Sequence, residues 1–172
     1  GKGVPVYSTP VTAELSSMLI EDFLRISGFY LPFEHFELLN MMRQLSDVSL
    51  GESVKAKDFT VTFHEAGHIP GSSTILLESG RKRILYTGDV NGEQSQLLNP
   101  QFTDYGELDF VVTESTYATS DHAPRSEVEQ NFVNYAREVV ERGGTLLVPA
   151  FSVGRAQEIA CVLKDANFPH TV

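Results

Sequence analysis

Apolar positions along this chain fall alternately at strand and helix spacing, which predicts interleaved β and α elements. Val4-Pro5-Val6-Tyr7-Ser8 predicts a short strand. Thr9-Pro10 then opens a helix running to about Ile26, with Leu15, Met18, Leu19, Phe23 and Leu24 on one face. A second helical stretch, about Pro32 to Leu45, carries Phe33, Phe36, Leu38, Leu39 and Met42 and is expected to pack beside the first. Strands follow near Val54–Lys55, Phe59–Phe63, Thr74–Glu78 and Ile84–Thr87, the last two joined by a hairpin turn at Gly80-Arg81-Lys82. Asp109-Phe110-Val111-Val112-Thr113-Glu114 is apolar almost to its end and predicts a strand buried on both faces. A helix from about Ser126 to Glu141 stops at Gly143-Gly144. Thr145–Pro149 then predicts one more buried strand, leading into a helix over Gly154–Lys164.

Composition narrows the class. The 172 residues are 41% hydrophobic, ample for a core, and a soluble globular protein is expected. No apolar run reaches the length of a membrane span, and Gly1-Lys2-Gly3-Val4-Pro5 lacks the apolar core of a signal peptide. The single Cys161 sits among apolar neighbours on the last helix, as a small buried hydrophobe suited to a reducing cytoplasm. Thirteen Lys and Arg face 23 Asp and Glu, a net charge of -10, which argues against a generic coat for nucleic acid. A chain of this charge that acts on phosphodiesters needs positive charge that is local, supplied by metal ions, or supplied by other parts.

The candidate chemistry begins in His64-Glu65-Ala66-Gly67-His68-Ile69-Pro70-Gly71-Ser72. Here the backbone must leave a strand and turn tightly, presenting the His68 ring, and neutral imidazole is the commonest metal ligand. One hairpin later, Tyr86-Thr87-Gly88-Asp89 places a carboxylate just past a strand end, with Gly88 letting the chain bend. A carboxylate there suits a hard-oxygen ligand able to bridge two divalent ions. Singly, each residue also reads as an ordinary turn side chain.

Two further groups stand at strand ends, where α/β proteins gather functional side chains. Glu114-Ser115-Thr116-Tyr117 ends the apolar strand and precedes a loop with His122, Arg125 and Glu129. Glu114 reads equally as a residue that orients a histidine or buffers a proton, and as a cap on the following turn. His122 and Arg125 read equally as solvated loop residues. In Pro149-Ala150-Phe151-Ser152-Val153-Gly154-Arg155-Ala156-Gln157-Glu158, a helix N-terminus offers free N–H groups to a phosphate with Arg155 nearby. Arg155 also stands where it could pair with Glu158 one turn on.

Together these residues resemble the β-CASP branch of the metallo-β-lactamase superfamily, and within it the ribonucleases of the cleavage-and-polyadenylation-specificity-factor type. Ala66-Gly67-His68-Ile69-Pro70-Gly71-Ser72 resembles the family's third metal motif and Tyr86-Thr87-Gly88-Asp89 its fourth. Glu114-Ser115-Thr116-Tyr117 resembles the acidic motif that opens the β-CASP segment. Pro149 to Glu158 resembles that segment's first strand-helix unit. Ala118 and Ser152 stand where the family often has glycine and alanine, away from the chemistry.

The resemblance implies an α/β fold: a partial metallo-β-lactamase αββα sandwich over residues 1–117, then the start of a β-CASP α/β cap domain over 118–172. It implies a zinc-dependent endoribonuclease acting on single-stranded RNA, in RNA processing such as mRNA 3′-end formation. His68 would ligate one Zn2+, Asp89 would bridge two, and Glu114 would orient a distal histidine that protonates the leaving group. Two metals about 3.5–4 Å apart would activate water for in-line attack on the phosphodiester. His122 and Arg155 are candidate substrate contacts. The implied partners are RNA and either a second copy of the protein or subunits of a processing complex, with no membrane.

The resemblance also makes the chain an expected internal fragment. The family's His-x-His-x-Asp-His signature would lie upstream of Gly1 and its later histidine motifs beyond Val172. Since open catalytic zinc sites use about three protein ligands per metal, these residues alone are expected to be inactive. Two alternatives share the fold: a 5′-3′ exonuclease of the ribonuclease J kind, and a non-catalytic subunit that binds RNA or protein. Val153-Gly154-Arg155-Ala156-Gln157 favours the endonuclease.

Overall fold

Thr9 and Pro10 set the first boundary. The Thr12 N–H donates to Thr9 Oγ1 at 3.2 Å, and Pro10, which has no N–H to leave unsatisfied, begins helix α1 (Pro10–Ser27). The computed structural model describes residues 4–27 and 31–168, so the Gly1 to Gly3 part of the leader reading lies outside the described residues. Before α1, strand β1 (Val6–Ser8) pairs in parallel with β2 (Leu45–Asp47). Between them, α2 (His35–Met42) is shorter than the sequence predicts. Glu34 and Glu37 close a reciprocal capping box at its start, and the chain turns at Arg43 so that Leu45 joins β2 instead.

Five strands form the main sheet in the order β3 (Ser53–Ala56), β4 (Phe59–Glu65), β5 (Ser73–Ser79), β6 (Lys82–Tyr86) and β7 (Phe110–Val112). All neighbours are antiparallel except β6 and β7, which run parallel. The β5–β6 hairpin is set by Gly80, whose φ of 58° is open to a glycine, between the paired residues Ser79 and Lys82. The register puts Thr62 opposite Leu76 and Leu76 opposite Leu85, and all three are buried. Burying each leucine contributes about 2 kcal/mol.

His64, paired with Thr74, lies on that same face. Its ring stacks on Phe102 with centroids 4.4 Å apart and meets the Tyr105 edge at 5.4 Å. The hydroxyls of Thr74 and Tyr105 lie 2.7 Å apart, so the segment after the sheet is strapped across it. Asp109 then starts the parallel strand. One of its oxygens accepts the Arg83 N–H at 2.8 Å and the other accepts Lys82 Nζ at 2.5 Å, which fixes β7 against β6.

Two expectations of a buried strand fail. Phe110, Val111 and Val112 are more than half exposed, so β7 is not covered on both faces. It is the outer strand of the sheet, and no described strand pairs with its other edge. Residues 145–149 form no strand: after α3 (Arg125–Glu141) the chain turns at Gly143, with φ 77°, and runs on with no ladder partner, leaving Leu147 89% exposed. On α1, Met18, Leu19 and Phe23 are likewise exposed, and the residue that packs inward is Ala13.

The last helix, α4 (Arg155–Asp165), carries buried Val162, and α3 carries buried Val133, Ala136 and Val139. Arg137 of α3 donates to the Ala166 carbonyl at 2.7 Å, tying α4's end to α3. Cys161 lies on α4 and is half-buried. Among the described residues no helix is long and apolar enough to cross a membrane.

Burial pushes the His64 pKa below 6.5, against a smaller upward pull from Glu78. A histidine whose folded pKa is depressed favours the unfolded chain once protonated. Its contribution is therefore complete above about pH 6.5 and lost as pH falls through the folded value. Replacing His64 with Phe is expected to keep the stack on Phe102 and to flatten the fall in stability below pH 6.5. Urea midpoints of the two proteins at pH 5 and pH 8 check this, and equal pH dependence would rule it out.

Candidate functional site

Strand β4 ends at Glu65, and the turn that follows is shaped by two glycines. Gly67 has φ 69°, and a Cβ there would lie 2.6 Å from the Asn91 carbonyl oxygen and 2.8 Å from that of Asn99. Gly71 has φ 84°, and a Cβ there would lie 2.8 Å from both the backbone nitrogen and the hydroxyl of Thr12. The Gly71 carbonyl accepts hydrogen bonds from Thr9 Oγ1 at 2.7 Å and Thr12 Oγ1 at 2.9 Å, so the start of α1 grips one end of the turn. Within it, the Ile69 N–H donates to Ser72 Oγ at 3.1 Å. His68 is held at the apex of a rigid turn with its ring in the open.

Asp89 arrives from the end of β6. Thr87 is buried and continues the ladder, its N–H donating to the Val112 carbonyl at 3.0 Å. Gly88, with φ 59°, then bends the chain. Asp89 Oδ2 comes to 3.7 Å from His68 Nε2. Two donors each about 2.1 Å from one tetrahedral ion would stand ~3.4 Å apart, so this imidazole and carboxylate fit two positions of a shared metal ion. Among the described residues no group of three or more metal-capable side chains gathers, so the pair could supply only part of a ligand set.

Glu114 is tied to the chain just after Asp89. Its Oε1 accepts the N–H of Val90, the residue after Asp89, at 2.9 Å. Its carboxyl is held below the ordinary glutamate value, first by the Thr116 hydroxyl, then by the Val90 and Thr116 N–H groups against some desolvation, and last by the charge of His68. Glu114 thus caps the following turn as a carboxylate, close enough to His68 to feel its charge. An ionised group there accepts and orients; it does not arrive as an acid.

The other candidates are divided. His122 is exposed, and its ring contacts Tyr117, with centroids 4.5 Å apart, rather than the His68–Asp89 pair. Arg155 is exposed at the first position of α4. Its neighbour Gly154, with φ 82°, packs so closely on the His68 turn that a Cβ would lie 2.9 Å from Ile69 Cγ2. Arg155 does not pair with Glu158. Glu158 instead meets Arg125, which belongs to α3 and is half-buried rather than solvated.

Residues that the sequence did not single out complete the support. Asn91 donates its N–H to the Ala66 carbonyl at 2.9 Å, and the Gln101 N–H donates to the Asn91 carbonyl at 2.8 Å. Gln96 donates its N–H to Glu158 Oε1 at 2.7 Å. Only the polar, glycine-containing character of the 91–101 stretch hinted at a role, and its partners lie far along the chain.

No family model matches the chain. It is similar to RNase aCSPSF2 of Saccharolobus solfataricus, 40% identical over 168 residues, which are 97% of this chain and 34% of that protein. An RNase J-like protein of Methanocaldococcus jannaschii is 36% identical over 168 residues, 93% of this chain and 38% of that protein. Endoribonuclease YSH1 of Mycosarcoma maydis is 35% identical over 164 residues, 93% of this chain and 19% of that protein. The chain therefore spans between a fifth and two fifths of the length of these curated relatives.

The turn's geometry predicts unequal costs for two glycine substitutions. Gly80→Ala meets nothing within 4 Å and should lose only the αL penalty, about 1 kcal/mol. Gly67→Ala adds contacts with three backbone atoms and should cost about 3 kcal/mol. Denaturant unfolding of the two variants measures the difference, and equal losses would show that the 91–101 segment does not press on the turn.

Proposed function

From membership in the β-CASP branch of the metallo-β-lactamase superfamily, to which this chain belongs with the ribonucleases of the cleavage-and-polyadenylation-specificity-factor type, we propose that the whole protein is a zinc-dependent endoribonuclease acting on single-stranded RNA. The observation that carries this reading is the 3.7 Å approach of His68 Nε2 and Asp89 Oδ2 with the Glu114 carboxylate alongside. Residues 1–117 then form part of the metallo-β-lactamase αββα sandwich and 118–172 the start of the β-CASP cap. The reaction is hydrolysis of a phosphodiester, in RNA processing, with a second copy or processing-complex subunits as partners. The half-buried lone Cys161 suits the cytoplasm.

His68 offers neutral imidazole nitrogen and Asp89 a carboxylate able to reach two ions, and together they would hold part of a dizinc centre. Two zinc ions, when bound, supply Lewis-acid polarisation of the scissile phosphate and activation of the attacking water. Glu114, kept ionised by its hydrogen bonds, does not donate a proton. It accepts one face of a hydrogen bond and so can orient an imidazole acid brought by the rest of the protein. Arg155 stands at a helix N-terminus beside the His68 turn, where a phosphate of the RNA strand would meet positive charge.

Similarity to an RNase J-like protein keeps a second reading, 5′-3′ exonuclease action through the same residues. In the whole protein, Asp89→Ala is expected to lower the rate of cleavage of a labelled single-stranded RNA by on the order of 100-fold. Cleavage at the wild-type rate would remove Asp89 from the metal site. With a 5′-end-labelled RNA, internal fragments support the endonuclease, whereas release of labelled mononucleotide supports the exonuclease. No cleavage by the intact wild-type protein, with RNA still bound, would make it a non-catalytic subunit of this fold. Glu114→Gln is expected to lower kcat while leaving KM for RNA unchanged; a rise in KM alone would make Glu114 a binding residue.

A further inference from the structure

Glu158 is nine-tenths buried, which an unpaired carboxylate would not tolerate. It is paired with Arg125, and Arg125 also holds Glu129 through Nε at 2.6 Å. The third member is unexpected. Glu158 Oε1 accepts the backbone N–H of Gln96 at 2.7 Å, and Glu129 accepts that residue's side-chain amide at 3.1 Å. Two carboxylates on two helices thus grip one residue of a loop 62 and 33 positions away in sequence.

Gln96 sits in a self-knit turn. Ser95 donates its N–H to the Leu98 carbonyl, and Ser95 Oγ accepts from Leu97 and Leu98 at 3.2 and 3.0 Å. Just beyond, the Asn99 carbonyl and the Gln101 nitrogen press on Gly67, as does Asn91 from the other side. A turn this well bonded moves as one body, so a grip on Gln96 is transmitted to Gly67 and hence to its neighbour His68.

We propose that Glu158 is a positioning residue for the metal turn: by holding Gln96 it clamps the 91–101 segment on Gly67 and fixes His68 at its distance from Asp89. The inference rests on the ribonuclease reading for its consequence but not for its mechanics. Within Gly154-Arg155-Ala156-Gln157-Glu158, it gives α4 two holds on the same turn: Gly154 against Ile69, and Glu158 through Gln96.

Reach and charge can be separated in the whole protein. Glu158→Gln keeps an acceptor oxygen at the same reach; Glu158→Asp keeps the charge and draws it back by one methylene. Amide hydrogen exchange at Gln96 and Gly67 reads the clamp directly, without metal. Chelator competition then reads zinc affinity, and kcat and KM are taken on RNA. Glu158→Asp is expected to speed exchange at both amides at least tenfold, weaken zinc about tenfold and lower kcat with KM unchanged, while Glu158→Gln stays within about threefold of wild type. Identical behaviour of the two variants overturns the proposal, as does faster exchange at Gln96 with none at Gly67. Should Glu158→Asp not fold, the wild-type protein decides, since one clamp requires Gln96 and Gly67 to exchange with the same opening free energy. Absence of zinc binding and cleavage in the wild type would sink the ribonuclease reading alone, because the paired exchange is independent of it.

Discussion

Everything at this site depends on a stretch of backbone with no room for side chains. Gly67 and Gly71 adopt positive φ and lie against other backbones at distances that a Cβ would forbid. Because of that, three separate pieces of chain close on one turn: the start of α1 through Thr9 and Thr12, the 91–101 segment through Asn91 and Asn99, and the head of α4 through Gly154. Interiors resist compression, so a turn packed on three sides has little freedom left. His68 is the one side chain that such a turn sends outward, which is how an exposed imidazole can also be a precisely placed one.

How far sequence alone reached follows from the range of each interaction. The strand-end placement of His68, Asp89 and Glu114 was legible because ligand-type side chains are conspicuous there, and the hairpin between His68 and Asp89 is a local object. The β5–β6 hairpin and the starts of α1 and α4 were legible for the same reason, through Gly80, Pro10 and Gly154, although Lys82, read as a turn residue, pairs with Ser79 in the ladder. Glu158 was not. A short-range rule pairs it with Arg155 one turn away, but burial on the inner side of α4 puts it against Arg125, with which it forms a desolvated pair. Nothing local in the sequence marks Gln96 as the third partner.

The misjudged strands teach a different lesson. Phe110, Val111, Val112 and Leu147 have the apolar character of buried positions, and the chain pattern was right about that character. Periodicity reports what a residue would prefer to touch, not whether a neighbour is there. Among the described residues β7 has a partner on one edge only, and 145–149 has none. On α1, which packs against α2, Met18, Leu19 and Phe23 are exposed as well. These exposed surfaces are where the described chain leaves hydrophobic area uncovered, and single exposed side chains are ordinary whereas a run of them is not.

Charge sets the remaining constraint on any phosphodiester at this site. Several basic residues of the chain are spent on structure: Arg83 and Lys82 on Glu78 and Asp109, Arg125 on Glu129 and Glu158, Arg137 on the end of α4, whereas Arg155 stays exposed. Beside His68 stand the carboxylate of Asp89, at 3.7 Å, and that of Glu114, and like charges of this kind repel an RNA backbone. Bound divalent ions are the largest local charges a protein can recruit, and at such a site they would add to Arg155 in drawing a phosphate. The acidic balance of the chain is then no objection to an RNA substrate. On the proposed reading, metal ions would then serve binding as well as chemistry, and both would draw on the spacing of His68 and Asp89.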